Sequence, residues 1–239
     1  MRRNKLLFLA AVLTGLCATL PAAPISGTFS MSGDVTVTRT TMVWNSDLSP
    51  TFTHDMFSQT LSAGSFAGED GQNSVDDLNI ASEPVGTAFA DTPFITFDVI
   101  PGLPGLEINF IYAGVGGTSD CSAAPAVGQT CTPPNPGGSP FTFTNDPPPN
   151  DMQSTAQWVF TGVTSDGMSD WRGVFTSQFD VPFQSVLSAF APGGSGTVTN
   201  SFGATITVIP TPEPAPTFMM ATGAGLLLLS LMLRKWRRT

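Results

Sequence analysis

The chain has 239 residues, eighteen of them acidic and nine basic, for a formal net charge of −9 at neutral pH. Seven of the nine basic residues sit at the ends, so between Lys5 and Arg234 only Arg39 and Arg172 stand against all eighteen acids. That balance excludes a general binder of nucleic acid or anionic lipid, which needs clustered Lys and Arg. It fits a soluble, self-repelling surface protein.

The first residues carry Arg2, Arg3 and Lys5, followed by an apolar stretch from Leu6 to Leu20 and then Pro21-Ala22-Ala23. A charged start, a short apolar run and small residues at its end describe a secretory signal peptide, here residues 1–23. Cleavage is expected near Ala22 or Ala23. Cys17 invites a lipoprotein reading, but Leu16 occupies the position where a small residue is required, so Cys17 is expected to leave with the signal.

Residues 24–209 form the exported part, long enough for one sizeable core or two small ones. Thr, Ser, Gly, Pro and Phe dominate it and Lys is absent, a composition for strands and turns. Ile25 to Met31 and Asp34 to Trp44 read as a hairpin turning at Gly33. Leu48 to Phe57 reads as a loop with one short strand, Gln59 to Ala67 as a strand, and Gly68 to Asp77 as a polar turn region. Phe94 to Ile100 alternates apolar and polar, Pro101 to Gly105 turns, and Leu106 to Ala113 returns. Gly114 to Pro149 reads as one long loop in which only Phe141 to Thr144 could pair. A loop of that length often decorates a binding face.

The second half is more regular. Thr155 to Thr164 and Trp171 to Asp180 flank a turn at Asp166-Gly167. Pro182 opens a short helix with Phe183, Val186, Leu187 and Phe190 on one side, ended by Gly193. The last strand sets Val198, Phe202, Ala204, Ile206 and Val208 against a row of Thr and Ser. Many short strands with Gly and Pro turns predict an all-β fold, an antiparallel β-sandwich or jelly roll with one short helix.

Cys121 and Cys131 are the cysteines left after signal removal, and export favours a disulfide between them. The search for catalysis returns no residues. His54 is the sole histidine and reads as a loop or strand-edge residue. Gly194-Ser195-Gly196 lacks a nucleophile elbow because Thr197 replaces the final glycine. No phosphate loop, His-based metal motif or dinucleotide fingerprint is present, and no cofactor is expected. Two binding patterns remain. Asp70, Asn73 and Asp76 lie in an oxygen-rich stretch with a glycine, a weak calcium candidate whose spacing does not match an EF-hand; a solvated turn is the plainer reading. Trp44, Trp158 and Trp171 either fill the core or form a sugar-stacking platform, and their alternating strands favour the core.

The end of the chain has three parts. Residues 210–216 are a stiff proline-rich linker. Residues 217–233 are uncharged and, as a helix, would span about 25 Å, usable for crossing a bilayer. Residues 234–239 carry Arg234, Lys235, Arg237 and Arg238 around Trp236, a basic stop that the positive-inside rule assigns to the cytoplasm. Pro212-Glu213-Pro214, set just before this apolar segment and basic end, resembles the PEP-CTERM sorting signal of exopolysaccharide-producing bacteria. The resemblance implies recognition by a membrane-embedded exosortase, processing near the motif and release towards the surface. An ordinary C-terminal anchor with a proline-rich stalk stays open as the plain alternative.

The chain is therefore read as a non-catalytic exported surface or matrix protein. Its expected partners are signal peptidase, exosortase and the membrane. A carbohydrate-binding module of the exopolysaccharide matrix is the alternative, and a secreted hydrolase stands third, because the many acids leave glycosidase pairs open.

Overall fold

The structure, a computed structural model, describes residues 23–44, 55–69, 71–147 and 152–211. Residues 1–22 of the expected signal peptide with Cys17, His54, Asp70, the motif Pro212-Glu213-Pro214, the apolar segment 217–233 and the basic end 234–239 lie outside the described residues. Among the described residues no helix is long and apolar enough to cross a membrane.

Among the described residues twelve strands follow in chain order: β1 (Gly27–Val37), β2 (Thr41–Trp44), β3 (Asp55–Gly64), β4 (Gly71–Val75), β5 (Leu78–Asn79) and β6 (Thr92–Thr96). They continue with β7 (Leu106–Ile111), β8 (Thr130–Cys131), β9 (Thr142–Asp146), β10 (Gln153–Thr164), β11 (Ser169–Phe179) and β12 (Val198–Pro210). Between β11 and β12 lies α1 (Phe183–Leu187), extended by a 3-10 turn over Ser188–Phe190. The described residues are thus mostly β with one short α-helix, as the composition predicts. The ladders between these strands are antiparallel.

These strands make one sheet that curls back on itself. Starting from β10, the pairings run through β11, β12, β1, β3, β4, β6 and β7 and return to β10. A ring of eight strands encloses an interior just wide enough for side chains to fill. The ring is complete at one end only. β1 pairs with β3 through Gly27–Ser32 but with β2 through Val35–Val37. Likewise β10 pairs with β7 through Phe160–Thr164 but with β9 through Gln153–Gln157. β2 and β9 are not paired with each other among the described residues, so the sheet splays open between them.

The longest ladders follow the most regular sequence. The Asp166-Gly167 turn holds because Gly167 takes a positive φ of 69° and the Asp166 carboxylate accepts from Met168 N at 3.0 Å. Thr164 Oγ1 accepts the Ser169 amide at 3.0 Å and completes the corner. In β12, Phe202, Ala204, Ile206 and Val208 are buried and Ser201, Thr205 and Thr207 exposed, the period of two expected.

Three expectations are corrected. Gly33 does not turn the chain. β1 runs straight through it, with Gly33 paired to Phe202, and the actual turn is Thr38–Thr41. Gly68 to Asp77 is not simply a polar turn region, because β4 occupies Gly71–Val75 between β3 and β6. The long segment 114–149 is more than a loop: it contains a 3-10 turn at Ser119–Ser122 and two strands, β8 and β9. Gly33 is held in its strand by Phe202, far along the chain, whereas β4, β8 and β9 are short polar strands that pair with their sequence neighbours β3, β9 and β10 although their residues carry no apolar alternation.

The core is aromatic. Phe175 of β11 lies within 6.3 Å, ring centre to ring centre, of Trp44, Phe94, Trp158, Phe160 and Phe202. Trp171 stacks on Phe94 at 5.9 Å and donates from Nε1 to the Glu107 carbonyl at 2.8 Å. Gly162 makes that bond possible, since a Cβ there would sit 1.8 Å from the Glu107 oxygen. Trp44 Nε1 and Trp158 Nε1 are buried without a hydrogen-bond partner among the described residues. Their rings are held by area and stacking.

Two outcomes are expected. Phe175→Ala should cost about 3–5 kcal/mol by urea unfolding, a large part of a total stability of roughly 5–15 kcal/mol. Trp171→Phe should cost about 1 kcal/mol more than Trp158→Phe, because only the former deletes a hydrogen bond. Equal losses would show that the Trp171 bond contributes nothing.

Candidate functional site: a cleft at the open end

Inward-facing residues change size along the strands. In mid-sheet, Trp158 of β10 is paired with Phe175 of β11. One inward position nearer the open end, the pair becomes Ala156 and Ser177. On the neighbouring strands the inward positions at this end are Val35 opposite Asn200 and Val37 opposite Val198. Rings that fill the middle therefore give way to small side chains, and a hollow of about 350 Å³ remains.

Three further segments wall the hollow. From one side comes the end of α1 with its 3-10 turn, contributing Val186, Leu187 and Phe190. From the second comes the Thr38–Thr41 turn. It is held by its own hydroxyls, Thr38 Oγ1 accepting Thr41 N at 2.9 Å and lying 2.7 Å from Thr41 Oγ1. The third wall is the stretch from Pro133 to Phe141. Gly137 and Gly138 let it approach Ile80 and Val85, where a Cβ would meet side-chain atoms at 2.6 and 3.1 Å.

Arg39 ties these walls together. Its carbonyl accepts from Asn135 Nδ2 at 2.7 Å, and its Nη2 donates to the Phe190 carbonyl. The polar members of the hollow are mostly engaged with protein. Ser177 Oγ donates to the Ser201 carbonyl at 2.7 Å and accepts from Asn200 Nδ2 at 2.8 Å. Most of the remaining wall surface is apolar, interrupted by hydroxyls such as those of Thr38, Thr41 and Ser139, and Trp158 meets Phe141 edge-on at 5.3 Å.

The predicted disulfide is present: Cys121 and Cys131 are bonded, with Cα atoms 5.2 Å apart. Its loop is fastened to α1 by an amide cluster. The wholly buried Asn145 accepts from Phe183 N at 2.9 Å and donates to Gln184 Oε1 at 3.0 Å. Gln184 Nε2 in turn donates to Gln129 Oε1 at 2.7 Å within the disulfide loop. The bridge therefore reaches the cleft through the helix it supports, and Cys121 itself borders the hollow.

The other sequence candidates fall elsewhere. Trp44, Trp158 and Trp171 are at most 2% exposed, so the three indoles form no sugar-stacking platform; only Trp158 borders the cleft. In the calcium candidate, Asn73 is buried within β4 and its Oδ1 accepts the Asp98 amide at 3.0 Å. Nearby Glu69 is buried too, its carboxylate accepting from Val99 N at 3.0 Å and Ile100 N at 2.6 Å. Asp76 follows β4, and its amide donates to the Phe94 carbonyl. Around Asp70, which lies outside the described residues, the stretch holds strand β4 and the Glu69 loop clamp, and among the described residues no three His, Cys, Asp or Glu side chains are grouped to hold a metal ion. Ser195 Oγ donates to the Thr197 carbonyl.

Arg39, Ala156, Ser177 and Asn200 carried no expectation from the sequence. The available signal was the switch from large to small at alternate positions, Trp158 to Ala156 and Phe175 to Ser177. No protein-family model, curated protein or solved structure matches the chain.

Replacing both Cys121 and Cys131 with Ser should lower stability by about 2–3 kcal/mol, the value for so short a loop. Amide exchange should rise at 118–132 and in α1 together. Faster exchange in the loop alone would show that the amide cluster does not couple them.

Proposed function

We propose that the chain is an exported, non-catalytic surface or matrix protein delivered by a PEP-CTERM-type sorting signal. The observation that carries this reading is the order Pro212-Glu213-Pro214, Ala215-Pro216, the uncharged segment 217–233, then Arg234, Lys235, Arg237 and Arg238. An apolar segment of that length inserts essentially irreversibly, so release from it needs covalent processing rather than dissociation. In this reading signal peptidase removes the front and an exosortase processes the chain near the motif.

The described domain supports the reading. Its disulfide suits an oxidising compartment. Its strongly acidic composition opposes self-association once the domain is outside the cell. We take the curled sheet as a flattened, sandwich-like ring, with β10-β11-β12-β1 facing β3-β4-β6-β7 across the aromatic core. With the tryptophan platform gone, nothing specific favours carbohydrate stacking.

The test compares intact masses of the wild-type chain and a Pro212-Glu213-Pro214 to Ala-Ala-Ala variant, in cells with and without the matching exosortase. Wild-type protein should lose its apolar and basic end only when the enzyme is present, and the variant should stay full length in the inner membrane. A mature surface protein that still contains Leu226 to Arg238 in the presence of that enzyme would leave the plain anchor as the better account.

A further inference from the structure

The open-end cleft has the size and lining of a small-molecule site, independently of how the protein is sorted. Its volume of about 350 Å³ lies within the range of ligand pockets and accommodates on the order of ten to twelve heavy atoms. The charge around it is more telling. The chain carries eighteen acids, yet no Asp or Glu is among the described residues that line the cleft. One of the two cations between Lys5 and Arg234, Arg39, stands on its exposed rim. Arg39 commits one N–H to the Phe190 carbonyl, and a guanidinium has five.

An apolar hollow kept clear of carboxylates, with a cation at its mouth, suits a ligand of one kind. We propose that the cleft binds a small molecule with an apolar chain and a single anionic head, of the medium-chain carboxylate class. The chain lies between Leu187, Val198 and Ala156, and the head meets Arg39. The domain's other cation, Arg172, borders its hollow together with Asp170, whereas among the described residues no carboxylate stands beside Arg39 in the lining of this cleft. Here the head gains a charge-assisted hydrogen bond while the chain leaves water.

The test uses a decanoate photoprobe bearing a diazirine in its chain, applied to the full-length protein in phosphatidylcholine nanodiscs, with labelled peptides mapped by mass spectrometry. Label should concentrate on peptides containing Thr38–Met42 and Val186–Ala191. Unlabelled decanoate should displace it about tenfold better than decanol of the same chain length. Arg39→Gln should erase that preference and Arg39→Lys should retain much of it, which separates head recognition from a loosened rim. Leu187→Trp and Ala156→Leu fill the hollow from opposite walls, and each should suppress labelling. Label spread evenly over the domain, equal displacement by decanol in the wild-type protein, or labelling indifferent to both fillings would overturn the proposal. The competition in wild-type protein decides the matter even if a filled variant fails to fold.

Discussion

Everything in this domain depends on Phe175 and the rings around it. Two arginines cannot neutralise so many acids, so ion pairing is a minor source of cohesion. Cohesion comes instead from burying aromatic area, and Phe175 is where that area converges. Its neighbours Trp44, Phe94, Trp158, Phe160 and Phe202 arrive on β2, β6, β10 and β12, so a single ring binds strands from opposite sides of the curled sheet. The hydrogen-bonded ring then removes free edges along much of its length.

The hollow at the open end is the consequence of the same packing running out. Past Trp158 and Phe175 the inward residues are the neighbouring pair Ala156 and Ser177, too small to reach the facing wall. An unfilled space of this kind forfeits dispersion contacts unless other segments cover it. Here α1, the Thr38–Thr41 turn and the 133–141 stretch are brought over the gap, and the disulfide and the Asn145 amide cluster hold that cover in place. Stability and access are therefore set by different parts of the molecule, the aromatic middle and the tethered rim.

Acidic residues are placed with the same economy. Glu69 and Glu83 are buried, yet each carboxylate is satisfied by backbone amides, Val99 and Ile100 for the first and Asn79 for the second. A buried carboxylate that accepts main-chain N–H groups fixes a loop without needing a cation. This is how a chain with so few basic residues can use its acids structurally. In the oxygen-rich stretch from Glu69 to Asp77, side-chain oxygens of Glu69, Asn73 and Asp77 are used in the same way, accepting main-chain amides.

Local chemistry decided much of the fold before any long-range contact was known. The alternation in β10, β11 and β12, the Asp166-Gly167 corner, the helix opened by Pro182 and the Cys121–Cys131 bridge all follow from neighbours within about a dozen positions. The tripartite C-terminal pattern is legible in the same way. Tertiary structure alone decided that Gly33 continues a strand, because its partner Phe202 lies far along the chain. It also decided that β4 is a strand and that the sheet curls into a ring. The cleft belongs to this second group. Val35, Met42, Ala156, Trp158, Ser177 and Asn200 meet there only because β1 pairs with β12 and β10 with β11. Periodicity reports which face a residue takes, but the space opposite that face is set by side chains that no local pattern identifies.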